Sequence, residues 1–168
     1  MTEAYFKAPW SAALIVMTIF CGLLCLSCPI GALFFLKTTM KGSMPAILKW
    51  CVITVPLIAL LGSALFVVRG YRVTGATLSV LRAGWETKFD LSGLTEARVD
   101  PDAFKGSLRL FGNGGFFCFA GWFRNQKLGV YRALATDASK GVVLRFQKKV
   151  LVVTPDDPAR FVAALKIV

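Results

Sequence analysis

The chain has no histidine. That absence removes Ser-His-Asp and Cys-His nucleophile pairs, and with them the usual histidine-bearing zinc centres. Acidic residues are scarce too: nine Asp and Glu stand against twenty Lys and Arg in 168 residues, for a net charge of +11. Two carboxylate pairs remain, Asp100/Asp102 and Asp156/Asp157. Each flanks or precedes a proline, where turns and helix starts favour aspartate, so both read as structural rather than catalytic. Over residues 69–168 the only cysteine is Cys118. That part has no internal disulfide framework, in keeping with a reducing cytoplasmic location.

Over long stretches the chain lacks charge altogether. Residues 8–36 carry none for 29 positions, and residues 50–68 carry none for 19 more. A run of about 20 apolar residues crosses a bilayer core as a helix. The reading is two N-terminal transmembrane helices, about 10–36 and 50–68, forming a helical hairpin over residues 1–68. Pro29 and Pro56 mark candidate kinks, and Trp10 and Trp50 suit interfacial anchoring. The first run is too long for the apolar core of a cleaved signal, and MTEAYFK before it is not a basic leader, so the hairpin is expected to stay. Two crossings put both termini on one side. Lys37, Lys41 and Lys49 in the connection nearly balance Lys7, Arg69, Arg72 and Arg82 at the other end, so positive charge barely sets the orientation.

Cys21, Cys25 and Cys28 recur at helical spacing on one face of the first run, and Cys51 begins the second. A thiolate metal or redox site is the sharper reading. Packing is the plainer one, because apolar surroundings disfavour thiolate and free cysteine packs as a small apolar residue. No cofactor is expected.

From residue 69 the texture changes to short apolar–polar alternations. Residues 71–73 and 77–81 read as strands about a Thr74-Gly75-Ala76 turn, and 85–91 alternates as a strand with one wet face. Residues 94–99 form a weaker candidate. Residues 142–146 and 150–154 flank a polar turn at 147–149. Asp157 as N-cap and Pro158 at the first helical position open an amphipathic helix over about 157–167, with Phe161 and Leu165 on its apolar stripe. About seven strands and one helix imply a barrel or sandwich over 69–168, capped by that helix.

The stretch FGNGGFFCFAGWFRNQKLGVYRALATD, residues 111–137, admits three readings. A dinucleotide or P-loop cradle fails: Phe117 stands where the third glycine belongs, and no Lys-Ser/Thr pair follows. A membrane-dipping loop fits the Phe-rich run 116–119. Apolar strand, polar turn at 125–127 and apolar strand fit a core hairpin better, with Gly121 marking a bulge or a close backbone approach.

Several of these elements together resemble the bacterial pleckstrin-homology-like (bacterial PH domain) membrane proteins. They are Gly112, Gly121-Trp122-Phe123, the strand from Tyr131, the strand 142–146, and Thr154-Pro155-Asp156-Asp157-Pro158 followed by Phe161 and Leu165. The resemblance covers about 71–166, and departs from the family in the Phe-rich run. It implies a bent antiparallel barrel capped by the C-terminal helix, and a cytoplasmic domain on a bacterial inner (plasma) membrane protein with both termini inside. It carries over no enzymatic residues.

Net charge over 69–168 is +8, from sixteen basic and eight acidic residues. The basic residues are scattered and no nucleic-acid-binding motif is present, so nucleic acid is not the expected partner. The expected function is a non-catalytic, membrane-anchored binding or scaffold module. Arg69, Arg72 and Arg82, and Lys148 and Lys149 at a hairpin tip, are its candidate contacts with anionic headgroups or an acidic protein partner. The alternative is a structural accessory subunit whose hairpin associates with itself or a larger membrane complex, through small residues such as Ser27 and Gly31.

Overall fold

The computed structural model describes residues 3–39 and 46–165. The chain opens with a strand, β1 (Glu3–Lys7), followed by two helices, α1 (Ala12–Thr39) and α2 (Ala46–Leu65). Nine strands and a short helix follow: β2 (Gly70–Thr74), β3 (Thr77–Leu81), β4 (Glu86–Asp90), β5 (Leu94–Val99), β6 (Leu108–Phe116), β7 (Cys118–Asn125), β8 (Gly129–Ala135), β9 (Val142–Phe146), β10 (Val150–Val153) and α3 (Pro158–Leu165).

The strands make two sheets, ordered β1-β2-β3-β4 and β5-β9-β10-β8-β7-β6. No strand pairing joins them among the described residues, so of the two forms read from the sequence, barrel or sandwich, the domain is a sandwich of two sheets. Nor is every pair antiparallel: β10 runs parallel to β8, with Leu151 opposite Arg132. After β8 the chain skips one lane and returns as β9. Then β10 folds back antiparallel to β9 into the vacant lane, and so shares the direction of β8.

Residues 3–7, read from the sequence as the lead-in to a span, are the edge strand of the first sheet. β1 pairs antiparallel with β2, from Glu3 opposite Thr74 to Lys7 opposite Gly70. One bond further on, the Ala8 amide donates to the Arg69 carbonyl at 3.3 Å. The two helices are thus inserted between adjacent, paired strands, and the chain leaves and re-enters the sheet at one place. Ser11 caps the start of α1, its hydroxyl accepting from the Leu14 amide at 3.2 Å. The Ser11 amide donates to the Thr136 carbonyl, and the Thr136 hydroxyl to the Pro9 carbonyl, tying this exit to the end of β8.

Of the two expected spans, α1 alone contains a segment long and apolar enough to cross a membrane: Ala12–Phe34, 23 residues. In α2 the apolar helical stretch is the shorter Trp50–Leu65. Its last part did not become helix, because residues 66–68 unwind to join β2.

The main core joins both sheets: Phe6, Tyr71, Leu78 and Val80 meet Leu134, Leu144, Leu151 and Val153, with Phe161 and Leu165 of α3 closing it. Phe161 packs edge-on against Phe6 and Tyr71, with ring centroids 5.1 and 6.0 Å away. The Asp157 carboxylate accepts from the Arg160 amide at 3.0 Å, which is the N-cap read from the sequence. Positions 166 and 167 of the expected helix lie outside the described residues. A second cluster buries the other face of the six-stranded sheet, where Phe123, Tyr131, Val143 and Val152 pack with Ala103 and Phe104.

Candidate functional site

The sequence-expected basic contacts do not form one surface. Arg69, Arg72 and Arg82 line one hollow of about 780 Å³, together with Lys7, Glu86 and Asp156. It lies where the helices join the sheet. Arg72 is engaged with Glu3, its Nε 3.0 Å from the carboxylate. Lys148 and Lys149 sit elsewhere, in the β9–β10 turn. The far end of β10 is the one tied to the helix junction, through the bond from the Asp156 amide to the Lys7 carbonyl. At about 3.3 Å per residue, the turn lies on the order of 15 Å from that junction. The Lys149 ammonium rests over the rings of Phe146 and Phe89, at 4.9 and 5.5 Å.

Arg82 is the buried member of the group, 6 % exposed. Its Nη1 donates to the Phe66 carbonyl at 2.7 Å and its Nε faces the Thr87 hydroxyl at 3.4 Å. Its guanidinium stacks over Trp85 at 4.6 Å. The Trp85 indole N–H donates to the Leu65 carbonyl at 3.1 Å, and the Cys118 thiol to the Phe66 carbonyl at 3.3 Å. The last carbonyls of a helix lack intrahelical partners. Side chains of the β-domain supply them for α2, a role that no local sequence signal announces.

A second hollow, about 810 Å³, opens on the other side of Arg82. Its floor is the inner face of the three strands that extend past the smaller sheet. Cross-strand register sets Phe111, Trp122 and Arg132 in one row and Asn113, Ala120 and Leu134 in the next. Ala59, Gly62, Ser63 and Phe66 of the α2 end form one wall, and Arg82 and Trp85 form another. Arg109 reaches it from a bulge in β6. Among the described residues no acidic side chain lines it. Burial pushes the Arg82 pKa down; the Cys118 group opposes this, and the neighbouring Arg132 charge adds to it.

The β6–β7 hairpin carries the glycine-rich stretch. Gly112 to Gly115 lie within β6. Gly112 and Gly121 face each other across the pair at positive φ, +105° and +156°. A Cβ on either would clash with the opposite backbone, at the Ala120 carbonyl for Gly112 and the Phe111 carbonyl for Gly121. This is the close approach expected of Gly121. The turn falls at Phe117, whose amide donates to the Thr18 hydroxyl of α1 at 3.0 Å and whose ring meets Trp10 edge-on at 6.2 Å. The hairpin read from the sequence, with its polar turn at 125–127, is β7 and β8; the β6–β7 turn at Phe117 was not read from the sequence, splits the Phe-rich run and lies against the second turn of α1. Of the residues expected to define the fold, Phe123, Tyr131, Pro155, Phe161 and Leu165 are buried, Pro158 is half-buried and Asp157 is exposed at its cap. Trp122, 43 % exposed, faces the larger hollow instead of the core.

The two acidic pairs sit in different settings. Asp100 lies between Lys127 at 2.6 Å and Arg98 at 3.5 Å, while Asp156 and Asp157 bond to backbone amides at the α3 start. Cys21, Cys25 and Cys28 lie on α1 as half-buried or exposed thiols, and among the described residues no three His, Cys, Asp or Glu side chains converge to hold a metal.

The result is a helix-capped two-sheet domain with basic hollows at one end. Residues 69–168 match the bacterial PH domain family, and the chain belongs to it. The match begins after the helices and so leaves out β1, although β1 completes the first sheet. Comparison with curated proteins and with solved structures gave no match.

Proposed function

We propose that this PH-domain protein is a membrane-anchored, non-catalytic binding module of the bacterial plasma membrane. The helices α1 and α2 form a helical hairpin in the bilayer. Residues 69–168, completed by β1, form a cytoplasmic domain held against the headgroups. The observation that carries this reading is the apolar surface of the helix pair: Ile30 and Ile47 are 70 % and 74 % exposed, and Val16, Phe20, Leu23, Ile58 and Leu61 are exposed with them. Such a belt is stable in lipid and a liability in water. The paired exit and re-entry at Lys7 and Gly70 supports a hairpin that returns to the side it left. Lys7, Arg69 and Arg72 cluster where anionic headgroups would lie, each contributing roughly 1 kcal/mol of attraction. An acidic protein partner is the competing ligand for the same charges. Lys148 and Lys149, at the other end of the domain, suit a protein partner better than the bilayer.

The test is extraction. Full-length protein should remain in membranes through an alkaline carbonate wash, and reporters fused to the two termini should fall on the same side. Release by the wash, or termini on opposite sides, would refute the anchoring. A second reading, an accessory subunit assembled through the hairpin, draws on Gly22, Gly31 and Gly62, where an added Cβ meets no atom within 4 Å. These are surfaces open to a neighbouring helix. Crosslinking in native membranes separates the two readings: a ladder of homo-oligomers favours the subunit.

A further inference from the structure

The larger hollow gathers positive charge that no carboxylate among the described residues neutralises. Arg82 spends Nη1 and Nε on protein acceptors, and its Nη2 makes no hydrogen bond among the described residues. Among the described residues Arg132 touches only the Phe89 ring through its guanidinium, at 5.5 Å. Arg109 makes one long bond, 3.4 Å, to the Gly112 carbonyl. None of the three has a carboxylate within ion-pair distance among the described residues. Guanidinium groups so placed repel one another when the site is empty and match an oxyanion in size and hydrogen-bonding pattern.

The remaining lining is apolar, and its direction matters. It runs from Arg82 and Trp85 along α2 from Phe66 back to Ala59, about two turns into the helix. Gly62 and Ser63 keep that wall shallow, while Phe111, Trp122 and Leu134 form the facing floor. A free inorganic anion would use the charged end and leave the apolar trough empty. An amphiphile with an anionic head fills both.

We infer that this cleft binds one anionic phospholipid, its phosphate held by Arg82, Arg109 and Arg132 and the start of its acyl chains lying along the last two turns of α2 between Gly62 and Trp122. The inference rests on the membrane-anchored reading, since the trough opens toward the leaflet only if α2 is in it. It differs from general surface attraction in predicting a stoichiometric, saturable site away from Arg69 and Arg72.

Full-length protein in a non-ionic detergent is titrated with short-chain phosphatidylglycerol, with phosphatidylcholine of the same chain length, and with glycerol phosphate, and bound lipid is counted by native mass spectrometry. The expected result is one phosphatidylglycerol per chain, bound at least tenfold more tightly than phosphatidylcholine, with glycerol phosphate weaker still. The double variant Arg109→Gln/Arg132→Gln should lose that preference. Gly62→Leu, which adds a side chain where the helix leaves open space, should weaken binding without changing charge. Lys105→Gln, at an exposed lysine that does not line the cleft, should leave it unchanged. Equal affinity for the two lipids overturns the proposal, as does wild-type binding by both pocket variants. Glycerol phosphate binding as tightly as the lipid overturns the lipid as occupant. If the arginine double variant does not fold, as judged by its thermal transition, Gly62→Leu decides alone. The short-chain lipids need no bilayer, so failure here leaves the carbonate-wash result standing. Failure of that wash would sink the anchoring while leaving this titration informative about the cleft.

Discussion

Replacing Phe6 by alanine tests the least expected element of the fold, the N-terminal strand. Phe6 is 2 % exposed and packs in the core that joins the two sheets. Its ring sits edge-on to Phe161 of α3, 5.1 Å between centroids, and the Arg160 guanidinium lies over its other side at 5.8 Å. Removing a fully buried phenylalanine side chain loses its transfer free energy and leaves a cavity, for about 3–5 kcal/mol together. The edge-on contact with Phe161 lies within that figure. For a domain of this size, each kcal/mol moves the midpoint by about 4–8 °C, so Phe6→Ala should lower it by roughly 15–30 °C. Glu3→Gln, in the same strand, removes only the exposed ion pair with Arg72 and should cost under about 1 kcal/mol.

The assay is thermal unfolding of full-length protein in one fixed detergent, followed by near-ultraviolet circular dichroism, which reports aromatic packing in the β-domain. The two variants must separate. If Phe6→Ala melts within a degree or two of Glu3→Gln, residues 3–7 are not part of the core and the inserted-hairpin topology is wrong. That result would also remove the argument that the two helices start and finish on one side.

Replacing residues 9–68 by a two- or three-residue turn should yield a detergent-free, folded domain, because Ala8 and Arg69 are already bonded neighbours; an aggregating product with native far-ultraviolet signal absent would count against it. The bare segment 69–168, lacking β1, should be insoluble or melt far lower, since it uncovers Phe161 and the edge of β2. Gly121→Ala should destabilise by at least ~2 kcal/mol through clash and backbone strain, whereas Gly129→Asn, at φ +69° with open space around it, should stay within ~1 kcal/mol by the same denaturation assay. Stability should fall as pH rises from about 9 to 11. Burial raises the Cys118 thiol from 9.0 to about 11, so the unfolded chain ionises first, and the favourable term present below pH 9 is lost by pH 11. The ceiling is roughly 3 kcal/mol, and Cys118→Ala should flatten that part of the profile. Tyr71, raised to about 12 by burial, continues the loss above pH 10.

Elements whose determinants are local were legible in the sequence. The Gly75 turn, the alternation over 85–91 and the Asp157-Pro158 helix start lie within a few residues of the structure they specify, and β3, β5 and β9 fall where the alternation put them. What was not legible depends on partners distant in the chain. Nothing in MTEAYFK marks a strand, because its pairing partner lies beyond both helices. β6 is not among the strands read from the sequence, because glycines at 112, 114 and 115 break its alternation and the facing Gly112–Gly121 pair that explains one of them is a cross-strand feature. The parallel β8–β10 pair follows from lane order, which periodicity does not encode. The basic cluster at Arg69, Arg72 and Arg82 was found from charge near an apolar run. Arg109, Arg132 and Trp122 were missed as a group because cross-strand register and a bulge bring them together, and neither is visible in composition.

The same long-range contacts decide how the two parts of the molecule move. A domain hung on one flexible linker samples orientations freely. Here the junction has two chain crossings, Ala8–Arg69 and Ser11–Thr136 bonds on the entry side, and Arg82, Trp85 and Cys118 on the last carbonyls of α2. The Phe117 amide adds a tie to Thr18, away from the crossings. These constraints are not collinear, so hinging about one would break another. Arg82 is both the cap of α2 and a wall of the two basic hollows. An anion seated on the free Nη2 would share the guanidinium whose Nη1 holds the Phe66 carbonyl, so the proposed site and the end of α2 meet on one side chain.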